Sequence, residues 1–136
     1  MRKRPVRKKN PLYKSFGYAF EGIFNTFGAE RNMKIHCLMA VAVVVAGIIC
    51  RITRIEWFIC LILFGLVTSL ELVNTAVEAV VDLVTEEKKP LAKKAKDAAA
   101  GAVLIAAIFA ALIGLAIFVP KVPDALDVFG INWDPW

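Results

Sequence analysis

The amino-acid sequence predicts an all-α integral membrane fold with an N-terminal amphipathic interfacial helix and three transmembrane helices. The first observation behind this class is composition, because hydrophobic residues make up 59% of the 136-residue chain, against roughly half in a soluble domain. The second is their arrangement in three long apolar runs, at 33–50, 57–84 and 98–119, which compare with the ~20 residues that span a bilayer. At this length the chain forms a single membrane domain, 1–136.

The chain begins with a basic tail, MRKRPVRKKNP at 1–11, which we expect to lie near anionic lipid headgroups. A net charge of +5 would also suit a nucleic-acid-binding protein. However, the positive residues are concentrated in the first 14 positions and in 88–96, with no basic and aromatic pattern between them. Their placement beside apolar runs is typical of the cytoplasmic flanks of membrane helices. Nucleic acid is therefore excluded as the class of partner.

Residues 12–28, LYKSFGYAFEGIFNTFG, predict an amphipathic helix that is rich in aromatic side chains. The residues on its apolar face are Leu12, Phe16, Ala19, Phe20, Ile23, Phe24 and Phe27. The residues on the opposite face are Lys14, Tyr18, Glu21, Gly22 and Asn25. Because such a helix is too polar to cross a bilayer, we expect it to lie in the plane of the membrane interface. Packing against another protein surface is the alternative.

The first two apolar runs predict the first two transmembrane helices. The run at 33–50 is short for a span, and Lys34 and His36 at its start can snorkel to the interface. A short turn is predicted at 51–56. The run at 57–84 has 28 residues, about 42 Å of helix, which exceeds a hydrocarbon core of ~30 Å. Its second half must therefore tilt, lie within a bundle or project into the cytoplasm.

A charged loop that contains Pro90 is predicted at 85–97, followed by the third transmembrane helix at 98–119, which Pro120 ends. Lys and Arg are concentrated in the N-terminal tail and in this loop. Both are therefore expected to be cytoplasmic, and the tail at 120–136 extracytoplasmic. This orientation places the tryptophans near the outer interface, which tryptophan favours. They are Trp57, Trp133 and Trp136.

Small residues recur along the predicted spans, and helices can approach each other closely at such residues. They are Gly47, Gly65, Ala98, Ala99, Ala100, Gly101 and Gly114. Three helices of this size cannot enclose a polar site by themselves. We therefore expect a homo-oligomer.

Four polar residues of the second span form one continuous stripe on an otherwise apolar helix. They are Glu71, Asn74, Glu78 and Asp82, which fall within about 80° of one another around the helix axis. A carboxylate near the bilayer centre costs about 2.5–3.5 kcal/mol, so such a stripe should face protein, water or an ion. The alternatives are contacts between helices or, for Asp82, a helix end that leaves the membrane.

The predicted topology brings charged residues from three segments to one depth, at the cytoplasmic surface. These residues are Glu30, Glu78, Asp82, Lys96 and Asp97. Glu71 lies about two helical turns deeper than Glu78. We therefore expect a shallow acidic site that faces the cytoplasm and has one recessed carboxylate.

Clustered carboxylates beside a lysine suit Mg²⁺ and phosphate, because Mg²⁺ takes one or two carboxylates together with substrate oxygens. A recessed glutamate can accept a proton from a hydroxyl at the level of the headgroups. These residues permit phosphoryl transfer from a soluble donor to a lipid alcohol. They equally permit a cation or proton pathway in a small channel or transporter subunit lined by Glu71, Asn74 and Glu78. A structural membrane protein is the third possibility. Because neither a GxxxxGK[ST] motif nor a kinase glycine-rich loop occurs, a nucleotide site would be built differently from both.

Two neighbouring motifs resemble a known family. ELVNTAVEAVVDLV at 71–84 and AKKAKDAAAGAVLIAAI at 92–108 resemble the signature of the small prokaryotic diacylglycerol kinase family, which includes the undecaprenol kinases of Gram-positive bacteria. SFGYAFEG at 15–22 and AERNMKIH at 29–36 support the resemblance, which covers 15–119. The pattern ExxN[ST]A[IV]E, joined to KD before the next span, is specific.

The resemblance implies a homotrimeric lipid kinase of the bacterial cell membrane, with active sites shared between neighbouring subunits. It implies ATP as phosphoryl donor, Mg²⁺ as cofactor, and the primary hydroxyl of undecaprenol or diacylglycerol as acceptor at the cytoplasmic surface. It also implies that Glu71 is the catalytic base, that Asn74 supports it, and that the metal ligands are Glu30 and Glu78. The nucleotide-binding residues that it implies are Tyr18, Glu30, Glu78, Glu87, Lys88, Lys96 and Asp97.

The chain departs from the family pattern near the start of the interfacial helix. Some relatives carry a phosphate-binding arginine there, whereas this chain has Pro11. The residues that can substitute for it are Lys8, Lys9 and Lys14. ERNMKIH at 30–36 resembles the Gram-positive branch, in which undecaprenol is the usual acceptor, although the residues do not decide between the two lipids. His36 belongs to this branch pattern, and at a helix start it is interpreted as a structural residue of the interface.

Overall fold

A computed structural model describes residues 11–128 and 130 of the chain. Four long helices make up most of it: α1 (Leu12–Ala29), α2 (Arg31–Ile49), α3 (Arg54–Val84) and α4 (Pro90–Phe118). A 3₁₀ turn at Val119–Lys121 follows α4 and leads into the short helix α5 (Val122–Val128). The predicted basic tail up to residue 10, with Lys8 and Lys9, lies outside the described residues, as do Trp133 and Trp136.

Among the residues that the structure describes, three helices are long and apolar enough to cross a membrane, namely α2, α3, and α4 with the turn that follows it. This confirms the predicted all-helical membrane class with three spans. Large apolar side chains on all three helices are exposed in the single chain, as expected for surfaces that face lipid or other subunits. The homotrimer and the position of α1 in the interface stay predictions.

A capping box starts α3 at Arg54, ahead of the apolar run that begins at Trp57. The Thr53 backbone N–H donates to Glu56 Oε2 at 2.6 Å, and the Glu56 backbone N–H donates to Thr53 Oγ1 at 3.4 Å. Both bonds satisfy N–H groups at the helix start that have no partner within the helix. The turn between α2 and α3 is therefore shorter than the predicted 51–56.

The helix α4 begins at Pro90, so the prediction of a loop throughout 85–97 is wrong for its second half. Proline suits the first helical position because its φ is already helical and no N–H partner is needed there. Lys93 and Asp97 then form an ion pair one turn apart on the helix surface. The charged residues that precede the third apolar run are therefore held on a helix.

The chain reverses direction between α2 and α3 through a Schellman motif. The Ile52 N–H donates to the Gly47 carbonyl at 3.1 Å, and the Arg51 N–H donates to the Ile48 carbonyl at 3.3 Å. Arg51 has a φ of 49°, the left-handed conformation that this motif requires and that glycine usually supplies. Ile52 then turns back into the bundle, where it is buried.

An aromatic contact and an ion pair close this same end of the bundle. A Cβ atom placed on Gly47 would lie 2.6 Å from Trp57 Cη2, so the indole ring packs directly on the backbone of α2. Lys121 Nζ lies 3.1 Å from Glu56 Oε1, and both side chains are mostly buried. Glu56 therefore caps α3 with one carboxylate oxygen and holds the end of α4 with the other.

The described core lies mainly where α3 packs against α4, with α2 beside them. Its apolar members are Met33, Ile52, Val67, Val103, Ala106 and Ile117. Its buried polar members are Thr26, Glu71 and Asn74. Because buried polar groups are costly unless they are paired, the two on α3 mark the place where a functional site is to be sought.

Candidate active site

The helices α2, α3 and α4 surround a cleft of about 210 Å³. The α3 residues in its wall are Glu71 and Asn74, and α2 adds Asn32 and His36. The rest of the lining is apolar and consists of Ile35, Ala100, Val103, Leu104 and Ala107. Polar side chains from α2 and α3 therefore share one cleft with an apolar wall that comes mostly from α4.

Glu71 is the most deeply buried charged residue of the site, with 1% of its surface exposed. Its Oε2 atom is buried and has no hydrogen-bond partner among the described residues. Leaving a buried acceptor unpaired costs about 1–3 kcal/mol, and more when the group is charged. Such an atom in the wall of a cleft is suited to accept a proton or a hydrogen bond from a bound molecule.

Asn74 stands one turn along α3 from Glu71 and is also buried. Its Nδ2 atom donates a hydrogen bond to Glu78 Oε1 at 3.0 Å. Its Oδ1 atom is buried without a partner in the described part of the chain. The amide therefore connects the cleft to the carboxylate of Glu78, and the structure brings together these three members of the predicted stripe.

The fourth member of the stripe, Asp82, pairs with Lys96 across the contact between α3 and α4. Asp82 Oδ1 and Lys96 Nζ are 2.6 Å apart, and the side chains are 60% and 36% exposed. Asp82 and Lys96, which the sequence predicts to lie at one depth of the membrane, are therefore in direct contact. Asp97, next to Lys96, pairs instead with Lys93 on its own helix.

The remaining predicted site residues lie outside the lining of the cleft. Glu30 separates α1 from α2 and is half-buried, and its side chain does not cap α2. Tyr18 is 59% exposed on α1. Glu87 and Lys88 lie in the exposed connection between α3 and α4, where Glu87 Oε2 is 3.4 Å from Lys89 Nζ. None of these four residues lines the cleft of its own chain that contains Glu71.

Within 11–128 and 130, the residues form no group of three or more His, Cys, Asp or Glu side chains that could hold a metal by themselves. Mg²⁺ seldom needs such a group, since it is commonly held by one or two carboxylates, waters and substrate phosphates. Glu78 keeps a second carboxylate oxygen beyond the one that bonds Asn74, and Glu30 is not used as a helix cap. Both carboxylates fit the oxygen ligands that Mg²⁺ requires.

Sequence analysis missed Asn32 and placed His36 at the interface as a structural residue. The structure places both in the wall of the cleft with Glu71. Their spacing of four residues, with Ile35 between them, would have assigned them to one face of α2. The face of α2 that meets α3 depends on how the two helices pack, which spacing along α2 does not report.

The chain is similar to several known proteins of one kinase family. The model of the prokaryotic diacylglycerol kinase family matches residues 17–118. The undecaprenol kinase of Bacillus subtilis (strain 168) is 49% identical over 82% of this chain and 91% of its own length. A diacylglycerol kinase of Synechocystis sp. is 42% identical over 87% of this chain and 71% of its own length. A diacylglycerol kinase of Helicobacter pylori (strain J99) is 32% identical over 75% of this chain and 80% of its own.

Proposed function

The chain belongs to the prokaryotic diacylglycerol kinase family, in the branch of the Gram-positive undecaprenol kinases, and it is a lipid kinase; on this premise we propose that it transfers the γ-phosphate of ATP to undecaprenol. The reaction takes place at the cytoplasmic surface of the cell membrane and requires Mg²⁺. Diacylglycerol, which gives several relatives their name, is the second acceptor to be tested. A channel or transporter subunit is not favoured, because the relatives are named as kinases.

The observation that carries the proposal is the buried, unpaired Oε2 atom of Glu71 in the wall of the cleft. A primary hydroxyl that enters the cleft can donate its hydrogen bond to this atom. In the proposed reaction the hydroxyl proton passes to Glu71 as the new bond forms between the hydroxyl oxygen and the γ-phosphorus. The bond from the γ-phosphorus to the bridging oxygen breaks, and ADP leaves.

Glu30 and Glu78 are proposed to hold Mg²⁺, which when bound would neutralise the charge that develops on the transferred phosphoryl group. Asn74 supports this arrangement from within the chain, because its Nδ2 atom fixes Glu78 Oε1 at 3.0 Å. It also stands between Glu78 and Glu71 along α3. The amide thereby orients the proposed metal ligand relative to the proposed base.

Lys96 and Asp97 are proposed to contact the nucleotide, together with Tyr18, Glu87 and Lys88. Lys96 has a 2.6 Å ion pair with Asp82, but the pair is partly exposed to solvent. Such pairs contribute at most about 1 kcal/mol, so a triphosphate can compete for the lysine. The lysine would then stabilise phosphate oxygens as the γ-phosphate is transferred.

The apolar wall of the cleft favours undecaprenol over diacylglycerol. The hydroxyl of diacylglycerol lies close to ester carbonyls, which lose hydrogen bonds to water in an apolar site unless donors replace them. The hydroxyl of undecaprenol is followed by hydrocarbon, which suits Val103, Leu104 and Ala107. The protein purified into mixed micelles should therefore phosphorylate undecaprenol with the higher kcat/KM, and a higher value for diacylglycerol would reverse this assignment.

The central experiment replaces Glu71 by Gln. The variant keeps the size of the side chain but loses the base, so lipid phosphorylation should fall about 10²–10⁴-fold while ATP still binds. Glu86→Gln is the matched control, because Glu86 is an exposed carboxylate in the connection between α3 and α4 and should retain wild-type turnover. Substantial turnover by Glu71→Gln would remove Glu71 from the role of base.

Liposomes that contain the purified protein separate the kinase from a pore. We expect label from γ-labelled ATP to appear in lipid, without ion flux across the membrane. Ion flux without labelled lipid would contradict the proposal and favour the pore.

A further inference from the structure

His36 is half-buried in the wall of the cleft, although its place near the start of α2 suggested only a structural role. It faces the same space as Glu71, which is 1% exposed. Asn32, one turn earlier on α2, also lines this space but is more exposed. The cleft therefore contains polar side chains on α2 in addition to the carboxylate and amide on α3.

The hydrogen-bonding groups on the two helices are complementary. Glu71 Oε2 and Asn74 Oδ1 are buried acceptors, and neither has a donor in the described part of the chain. An imidazole ring carries an N–H donor in either of its neutral forms. An alcohol needs both kinds of partner, because a hydroxyl donates one hydrogen bond and accepts others. The wall of the cleft thus contains both kinds of partner that a hydroxyl group needs.

We propose that His36 is a positioning residue for the acceptor lipid, and that its imidazole N–H donates a hydrogen bond to the hydroxyl oxygen whose proton Glu71 accepts. The inference rests on the proposed kinase reaction. His36 keeps its proton throughout and takes no part in the transfer of the phosphoryl group. Its effect is to hold the hydroxyl oxygen in one place, so that the O–H bond points to Glu71 and a lone pair is free to attack phosphorus.

The apolar lining extends this role to the carbon atoms next to the hydroxyl. Ile35 precedes His36 on α2, and Leu104 and Ala107 lie on the opposite wall. At about 210 Å³ the cleft is smaller than the ~300–1,000 Å³ typical of sites that enclose a whole small molecule. It therefore holds the hydroxyl end and the adjoining carbons of the acceptor, while the rest of the chain stays in the bilayer.

The test compares His36→Leu with His36→Gln in the full-length protein, with undecaprenol in mixed micelles as acceptor. Leu removes the donor at similar size and should raise the acceptor KM about tenfold, which corresponds to about 1.4 kcal/mol. Because the hydrogen bond also orients the hydroxyl for attack, kcat should fall as well. The KM for ATP should not change. Gln retains an N–H donor and should restore most of the lost acceptor affinity.

Cys37→Ala is the matched control, because Cys37 is the next residue on α2, is half-buried and is not part of the lining. It should retain both wild-type KM values. If the Leu variant cannot be recovered folded, His36→Ala takes its place. An unchanged acceptor KM in His36→Leu would overturn the proposal. An acceptor KM that rises as much in His36→Gln as in His36→Leu would also overturn it, because His36 would then act through packing and not through its N–H donor.

The outcome is independent of the test of the catalytic base. If Glu71→Gln retained turnover, Glu71 would not be the base, yet a selective rise in acceptor KM would still place His36 at the acceptor. If Glu71→Gln lost turnover and His36→Leu had an unchanged acceptor KM, Glu71 would remain the proposed base, but the positioning role of His36 would be refuted.

Discussion

Glu71 and Asn74 sit in the middle of an apolar helix with buried oxygen atoms that the described chain leaves unpaired. Each such atom destabilises the fold by about 1–3 kcal/mol. The cost is understandable if a bound hydroxyl supplies the missing donor. At the level of single residues, the site therefore works by keeping acceptors unpaired inside the protein and ionic groups paired but accessible at its edge.

Glu78→Gln tests whether Glu78 binds Mg²⁺, a role separate from that of the proposed base Glu71. The amide oxygen of Gln can still accept the hydrogen bond from Asn74, but the negative charge proposed to bind Mg²⁺ is lost. We expect activity at saturating ATP to require about tenfold more Mg²⁺, with partial recovery at high concentration. Titration of activity with Mg²⁺ measures this, with Glu86→Gln as control. An unchanged titration would contradict the assignment of Glu78 as a metal ligand.

Lys96 and Asp82 form one ion pair but should differ in their effect on catalysis. Lys96→Met removes a proposed phosphate contact and should lower kcat/KM for ATP about 10²-fold. Asp82→Asn removes only an exposed ion pair, so the KM for ATP should change at most about fivefold. Steady-state kinetics with varied ATP measure kcat/KM and KM for both variants. Equal losses would indicate that the pair acts structurally, with Lys96 contributing nothing further to the nucleotide site.

The helical elements are held together by a few close contacts at the end where α2 turns into α3. The Schellman motif, the capping box and the Glu56–Lys121 ion pair all lie there. The cleft lies nearer the other end, around the first turns of α2. These close contacts and the cleft therefore lie in different parts of the bundle.

Gly47→Ala should destabilise the protein by about 1–3 kcal/mol, because the new Cβ would lie 2.6 Å from the indole ring of Trp57. The ring must shift or the two helices must separate. Thermal unfolding in detergent micelles measures the loss. Gly114→Ala is the control, since within the described chain a Cβ at Gly114 meets nothing within 4 Å. Equal unfolding temperatures of the two variants would show that the Trp57 ring moves aside without loss of stability.

The whole molecule exposes most of its large apolar side chains on three helices that can span a membrane. Lipid covers part of this surface, and the predicted homotrimer would cover another part. Tyr18, Glu30, Glu87 and Lys88 do not line the cleft of their own chain. Active sites shared between subunits would account for their proposed roles, because a neighbour could supply them.

The trimer is tested by the mass of the protein in detergent, which light scattering should find to be three times the 15.0 kDa of the chain. Gly65→Leu should lower the assembled fraction if α3 meets a neighbour at this position. In the described single chain a Cβ at Gly65 has open space around it, so any loss reports a contact between subunits. A monomeric wild-type protein would refute the predicted trimer.

Much of the fold follows from local sequence. Apolar runs of bilayer length predict the spans, and helical periodicity places Glu71, Asn74 and Glu78 on one face. The start of α4 was missed because the seven charged or helix-compatible residues at 91–97 carry no apolar periodicity. Pro90 and the charged pair Lys93 and Asp97 can occur either in a loop or in the first turns of a helix. Their sequence alone therefore does not show that α4 begins at Pro90.

By itself the sequence determined the membrane class, the three spans, the polar stripe and, through its motifs, the family. Those properties depend on composition and on spacing along one helix, which are local. Only the tertiary structure decided that Asp82 contacts Lys96, that Trp57 covers Gly47, and that His36 shares a cleft with Glu71. Each of these contacts joins two different helices. They depend on how each helix is rotated about its axis when it packs, and no residue spacing within a single helix specifies that rotation.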